Sequence, residues 1–123
     1  MEAMELGQRA VRCKHWRWMP GMRDRGGNVY LGRRANAPAG VHQWARLDGG
    51  TWEWSEAEIG LPDFNDAATL GCLAALVREV HRFNVVIQMG DGWWCVETAR
   101  NRWDDDDTNS FAEALVVALK VAP

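Results

Sequence analysis

Lysine is almost missing from this chain: Lys14 and Lys120 are the only two, against twelve arginines. Tyrosine occurs once, at Tyr30, and proline four times in 123 residues. Cysteine is sparse and odd in number, at Cys13, Cys72 and Cys95. A disulfide framework needs a denser, even set, so three reduced thiols are expected, with Cys72 and Cys95 as small apolar core residues. No apolar run approaches the roughly 18 residues that span a bilayer, so neither a transmembrane helix nor a membrane partner is expected. The start, Met1-Glu2-Ala3-Met4-Glu5, carries acids where a secretory signal needs a basic end and an apolar core. A cytoplasmic protein is the expectation.

Catalytic and metal signatures are equally scarce. His15, His42 and His81 lie beside no serine or cysteine at a recognisable motif position, and there is no Gly-x-Ser-x-Gly and no glycine loop built to cradle phosphate. Gly26-Gly27 and Gly49-Gly50 read as turn glycines. Cys13-x-His15 is a fragment of a zinc site, whereas structural zinc takes four ligands in near pairs. Asp105, Asp107 and Asn109 alternate as in a calcium loop, but Ser110 stands at the glycine place and Val116 at the glutamate place. The chain is therefore expected to be no enzyme, with no catalytic residue, no metal ligand and no cofactor.

What is abundant is tryptophan, eight of the twelve aromatic residues. With 47% hydrophobic residues, 25% charged and a net charge of −3, the composition is that of a folded domain rather than a disordered tail or a highly basic nucleic-acid packer. The arginine excess reads either as genome base composition or as an interface, where arginine and tryptophan are the usual anchors. Charge is polarised: residues 1–47 hold nine basic and three acidic side chains, residues 48–123 five and fourteen. Such polarity suits a charged partner of either sign, or two ends that attract each other.

Periodicity gives the elements. Ala3, Leu6, Ala10 and Cys13 recur at spacings of three and four, a short helix over 2–13. Val29-Tyr30-Leu31 is a possible short strand inside a Gly/Asn/Arg-rich loop. Asp48-Gly49 between Trp44 and Trp54 is a hairpin signal, and Gly90-Asp91-Gly92 between Val85 and Val96 is a second. Leu70, Leu73, Ala74, Val77, Val80 and His81 mark a helix over 67–82 with Asp66 as its cap. Gly71 lies inside that helix at a cost of about 1 kcal/mol, which a close contact with a sheet would explain. Ser110-Phe-Ala-Glu113 is a capping box for a helix over 111–121, with Phe111, Ala114, Leu115, Ala118 and Ala122 inward. Hairpin-then-helix occurs twice. The expectation is one α+β domain over 1–123: a basic N-terminal helix and loop over 1–40, then two ββα units over 41–123 sharing an antiparallel sheet of about four strands with helices on one face.

Three stretches carry a resemblance: His15-Trp-Arg-Trp-Met-Pro-Gly-Met-Arg23; Leu61-Pro-Asp-Phe-Asn-Asp-Ala-Ala-Thr-Leu-Gly-Cys-Leu-Ala-Ala-Leu-Val-Arg-Glu79; and Glu113-Ala-Leu-Val-Val-Ala-Leu-Lys-Val-Ala-Pro123. Together, over about a third of the chain, they resemble small proteins encoded in tailed-phage and prophage genomes. Position 67 is typically proline in those proteins and is Ala67 here. Asp91-Gly-Trp93 and Asp107-Thr108…Ala118-Leu119 are more loosely similar to the phage domain described as an α-β-α sandwich. Neither resemblance brings an activity or a catalytic residue. Both imply a phage protein made in the cytosol of a bacterial host.

Two surfaces compete for a binding role. Trp103 with Asp104, Asp105, Asp106 and Asp107, together with Glu53, Glu56 and Glu58, makes an acidic, aromatic-edged surface suited to a bacterial host protein, such as the basic groove of a host defence complex of the kind that anti-CRISPR proteins inhibit. Arg12, Trp16, Arg17, Trp18 and Arg23 make a basic-aromatic segment suited to single-stranded nucleic acid, where bases stack on indoles and phosphates meet arginine. The sheet is expected to leave one face without a helix, to be covered by a partner or by a second copy in a homodimer, with Trp52, Trp54, Trp93 and Trp94 divided between core and outer face.

Overall fold

The computed structural model describes residues 3–33, 41–46, 49–55, 60–106 and 110–123. Among the described residues three helices, α1 Ala3–Val11, α2 Ala67–Val80 and α3 Phe111–Lys120, alternate with six strands. These are β1 Val29–Arg33, β2 Val41–Ala45, β3 Thr51–Ser55, β4 Val85–Gly90, β5 Trp93–Thr98 and β6 Arg102–Asp104. Every strand pairing is antiparallel, so the fold is α+β with an N-terminal helix, the class that the sequence predicts. The strands divide into two three-stranded sheets, ordered β1-β2-β3 and β4-β5-β6, rather than one sheet of about four. Each predicted hairpin has a third strand. β1 contains the short strand expected at Val29-Tyr30-Leu31 and runs on to Arg33; Gly32, at φ +116°, sits in the irregularity of its register with β2. β6 is hidden by its acidic composition, since aspartate disfavours strands.

Two compact units result, residues 17–72 and residues 1–16 with 73–123, and α2 runs from one into the other. The sequence-based division at residue 40 is not the one that packing makes. Residues after Trp16 belong with β1–β3 because backbone bonds tie them there: Gly21 N–H donates to Tyr30 O at 2.9 Å and Tyr30 N–H to Met22 O at 2.8 Å. The core of this unit is aromatic. Trp44 is fully buried, with the Trp18 ring edge-on at 4.9 Å and Tyr30 at 5.2 Å. Tyr30 also hydrogen-bonds the buried His42 through its hydroxyl and Nδ1, at 2.7 Å. Register pairs Trp52 with Trp44 and Trp54 with His42, while the side chains of 52–55 lie outside the described residues.

Asp66 caps α2 as predicted, its Oδ2 accepting from Thr69 N–H at 2.9 Å and from the Thr69 hydroxyl at 2.8 Å. Ser110 caps α3, accepting from Glu113 N–H at 3.2 Å. In the second unit α3 packs on β5 and β6, and α1 packs on α3. Ala114, Leu115, Val116, Ala118 and Leu119 are all buried, more than one stripe, as a helix covered on two sides requires. The expected explanation for Gly71 is wrong: the residue is exposed, and a Cβ built there meets nothing within 4 Å. Gly71→Ala is therefore expected to stabilise the protein by about 1 kcal/mol, read as a higher denaturation midpoint.

Candidate functional site

Alternation along β4–β5–β6 gives that sheet two unlike faces. Val85, Ile87, Met89, Trp94, Val96, Thr98 and Trp103 share one, set by the pairs Met89–Trp94, Ile87–Val96 and Val96–Trp103. α3 covers it: the Trp94 and Phe111 rings are 5.7 Å apart and Val96 is fully buried. The opposite, outer face carries Val86, Gln88, Trp93, Cys95, Glu97, Arg102 and Asp104. Val86 is 48% exposed and Trp93 44%. The Trp93 indole lies flat over Gly90, its cross-strand partner, where a Cβ would fall inside the ring. Glycine at position 90 is the seat that the ring needs.

Charge borders this indole. Arg102 pairs with Glu97, Nη1 to Oε2 at 3.5 Å, and with Asp104, Nε to Oδ2 at 3.4 Å. The Cys95 sulfur first, then the hydrogen bond to Asp104, push the guanidinium above its ordinary value. Exposed pairs of this kind add little stability, so the network sets surface charge more than it holds the fold. The aspartate tract leaves β6 as a fixed turn: Asp105 N–H donates to Trp94 O at 3.2 Å and Asp106 N–H to Asp104 Oδ1 at 3.1 Å. Glu97 and Asp104 thus set two carboxylates against one guanidinium on the face that carries Trp93, and the exposed Asp105 and Asp106 follow at the end of β6.

The sequence-predicted acidic residues are only partly united. Trp103 and Asp104 are neighbours on β6 but point to opposite faces, Trp103 to the α3 side, so the aromatic residue sharing the acids' face is Trp93. Glu53 pairs with Gln43 in the other unit, and its side chain lies outside the described residues, as do Glu56, Glu58 and Asp107. Period-two alternation separates Trp93 from Trp94, but sequence alone does not say which of them the helix covers.

The basic-aromatic segment is divided between units, Arg12 and Trp16 in one and Arg17, Trp18 and Arg23 in the other. Arg12 and Arg17 are exposed and Trp16 is half-buried. Trp18 is part of the Trp44 cluster. Arg23 is bound twice, by its N–H to Thr69 Oγ1 at 2.7 Å and by Nε to Asp66 Oδ1 at 3.6 Å. Asp63 N–H donates to Arg23 O at 2.9 Å, Asp24 bridges to Pro62, and the Cys72 thiol faces Pro20 O at 3.8 Å. Residues 17–23 of the first stretch and 61–72 of the second therefore meet inside one unit. Residues His15 and Pro123, from the first and third stretches, are joined by a 2.6 Å bond between Nε2 and a terminal carboxylate oxygen.

All three cysteines are free thiols. Cys95 is buried as expected, whereas Cys72 is only half-buried. Burial pushes the Cys13 and Cys72 thiols above their ordinary value, with the nearby Asp66 adding to it at Cys72. Neither is set up as a nucleophile, which needs a depressed value. Among the described residues no three His, Cys, Asp or Glu side chains gather to hold a metal ion, and no helix is long and apolar enough to cross a membrane. No protein-family model matches the chain, and no curated protein and no solved structure matches it.

Proposed function

We propose that this chain is a small phage-encoded accessory protein that acts by binding a bacterial protein through the outer face of the β4–β5–β6 sheet. The observation that carries the reading is Trp93: a large indole exposed on a sheet face that α3 does not cover, seated on Gly90, with Glu97 and Asp104 on the same face. A tryptophan of fixed orientation is the usual anchor of a protein interface, because it buries much area with little loss of side-chain freedom. Carboxylates around it steer a basic partner and penalise an acidic one. The phage context rests on the three stretches that resemble phage proteins. Occupation of the basic nucleic-acid groove of a host defence complex is the sharpest form of this reading.

Nucleic-acid binding by the basic-aromatic segment is the second reading. Arg12 and Arg17 are exposed, but Trp18 and Arg23 are committed to the core and to the Asp66 junction. Affinity capture from a bacterial lysate, divided into nuclease-treated and untreated halves, separates the two. The first reading expects a stoichiometric protein that survives nuclease with the wild type and is lost with Trp93→Ala. Material that vanishes on nuclease treatment, and is retained by Trp93→Ala, refutes it in favour of the second.

A further inference from the structure

We infer that the second unit carries a small-anion site of its own, away from the outer sheet face. A groove of about 600 Å³ lies between the end of α2, the β5–β6 turn and the end of α3. That volume is within the range of about 300–1,000 Å³ typical of small-molecule sites. Its walls are His81, Asn84, Thr98, Ala99, Arg100, Asn101, Val121 and Pro123. Among the described residues no Asp or Glu side chain lines it, in a chain where acids outnumber basic residues seventeen to fourteen, and the terminal carboxylate of Pro123 at its edge is already held by His15 Nε2 at 2.6 Å. The guanidinium of Arg100 and the carboxamides of Asn84 and Asn101 make no hydrogen bond to any described residue. These are the donors that a carboxylate or phosphate needs, the guanidinium as a bidentate fork.

The walls are rigidly built. Thr98 Oγ1 accepts the N–H groups of Arg100 at 3.4 Å and Asn101 at 3.2 Å, and Thr98 N–H donates to Asn101 O at 2.8 Å, closing the turn. His81 is pinned across the groove, Nε2 to Ala118 O at 2.7 Å. Between His81 and Asn84 the backbone turns through two left-handed residues that are not glycine, Arg82 at φ 53° and Phe83 at φ 64°. Such conformations are strained for residues that carry a Cβ. Burial of the Phe83 ring does not offset this, since Phe83 is 76% exposed. What the turn achieves is to set Asn84 beside His81 at the groove wall.

Two helices end here, and free C-terminal carbonyls would repel an anion. Four of those carbonyls are occupied: Val117 O accepts from Val121, Leu119 O from Ala122, Arg78 O from Phe83 and Glu79 O from Arg82. With Ala118 O held by His81, they do not compete for Arg100. The apolar walls Ala99 and Val121 suit the carbon skeleton of a small organic anion, a carboxylate or a phosphate monoester.

The test is an NMR titration of the whole labelled protein with inorganic phosphate and, separately, with succinate, at ionic strength held constant with chloride. Saturable shifts are expected at the Arg100 Nε–H and at the Asn84 and Asn101 side-chain amides. Affinity is expected to fall about tenfold or more in Arg100→Gln and to fall in Asn84→Ala, as the loss of charge-assisted bonds implies. Arg82→Gln, which alters a neighbouring cation outside the groove lining, is expected to bind as the wild type does. Response to one probe alone supports the site and assigns it to phosphate or to carboxylate. No saturable shift with either probe, or shifts that persist unchanged in Arg100→Gln, overturns the inference.

Discussion

Trp44→Ala is expected to cost about 3–5 kcal/mol, the range for truncating a buried aromatic side chain. For a domain of this size that is a large share of the whole stability. The reason is position. Trp44 is fully buried in the central strand of the first sheet, and Trp18 and Tyr30 both present their edges to it. Trp18 reaches it from a loop, Tyr30 from β1. Removing the indole leaves a cavity that neither ring can fill without giving up its own strand or loop contacts. Trp44→Phe is expected to lose less, because most of the volume remains. Chemical denaturation followed by circular dichroism reads both. A Trp44→Ala midpoint near that of the wild type contradicts the picture of one aromatic cluster holding residues 17–72.

Thr69→Val is expected to have the next largest effect, about 1–3 kcal/mol, the cost of leaving a buried polar group without its partner. The Thr69 hydroxyl is wholly buried and is used twice: it donates to Asp66 Oδ2 at 2.8 Å and accepts from Arg23 N–H at 2.7 Å. Valine keeps the shape and removes both bonds. The Asp66 cap survives through Thr69 N–H, so the loss reports the junction between the two sequence stretches rather than the start of α2. Thr69→Ser restores the hydroxyl and is expected to recover most of the stability. A Thr69→Val protein as stable as wild type makes the hydroxyl a bystander.

Much of this fold is legible in the sequence because local signals agree with it. Asp66 and Ser110 are side chains of the right kind ahead of apolar repeats, and both cap helices. Asp91-Gly92 closes a hairpin, with Gly92 at φ +74°. What was not legible depends on long-range packing. β6 is short and becomes a strand by pairing with β5, which no local propensity reveals. Gly71 invites a packing explanation that only the open space around it removes. The acidic surface was read from adjacency, so Trp103 was grouped with Asp104. In a strand, neighbours in sequence face opposite ways, and Trp93 is the indole on the acids' side. The basic-aromatic stretch looked like a ligand site because its fold partners, Trp44 and Asp66, lie tens of residues away.

The most direct test of the binding account is calorimetry with the captured partner, comparing wild type, Trp93→Ala, the Asp105→Lys/Asp106→Lys double variant and Arg17→Ala. The account predicts that Trp93→Ala weakens binding about thirtyfold or more, as loss of an interface anchor worth over 2 kcal/mol requires. It predicts that the charge reversal weakens binding in a salt-dependent way, and that Arg17→Ala leaves it unchanged. Full affinity in Trp93→Ala, with the loss appearing in Arg17→Ala instead, would place the contact on the basic-aromatic segment and contradict the role assigned to the outer face of the second sheet.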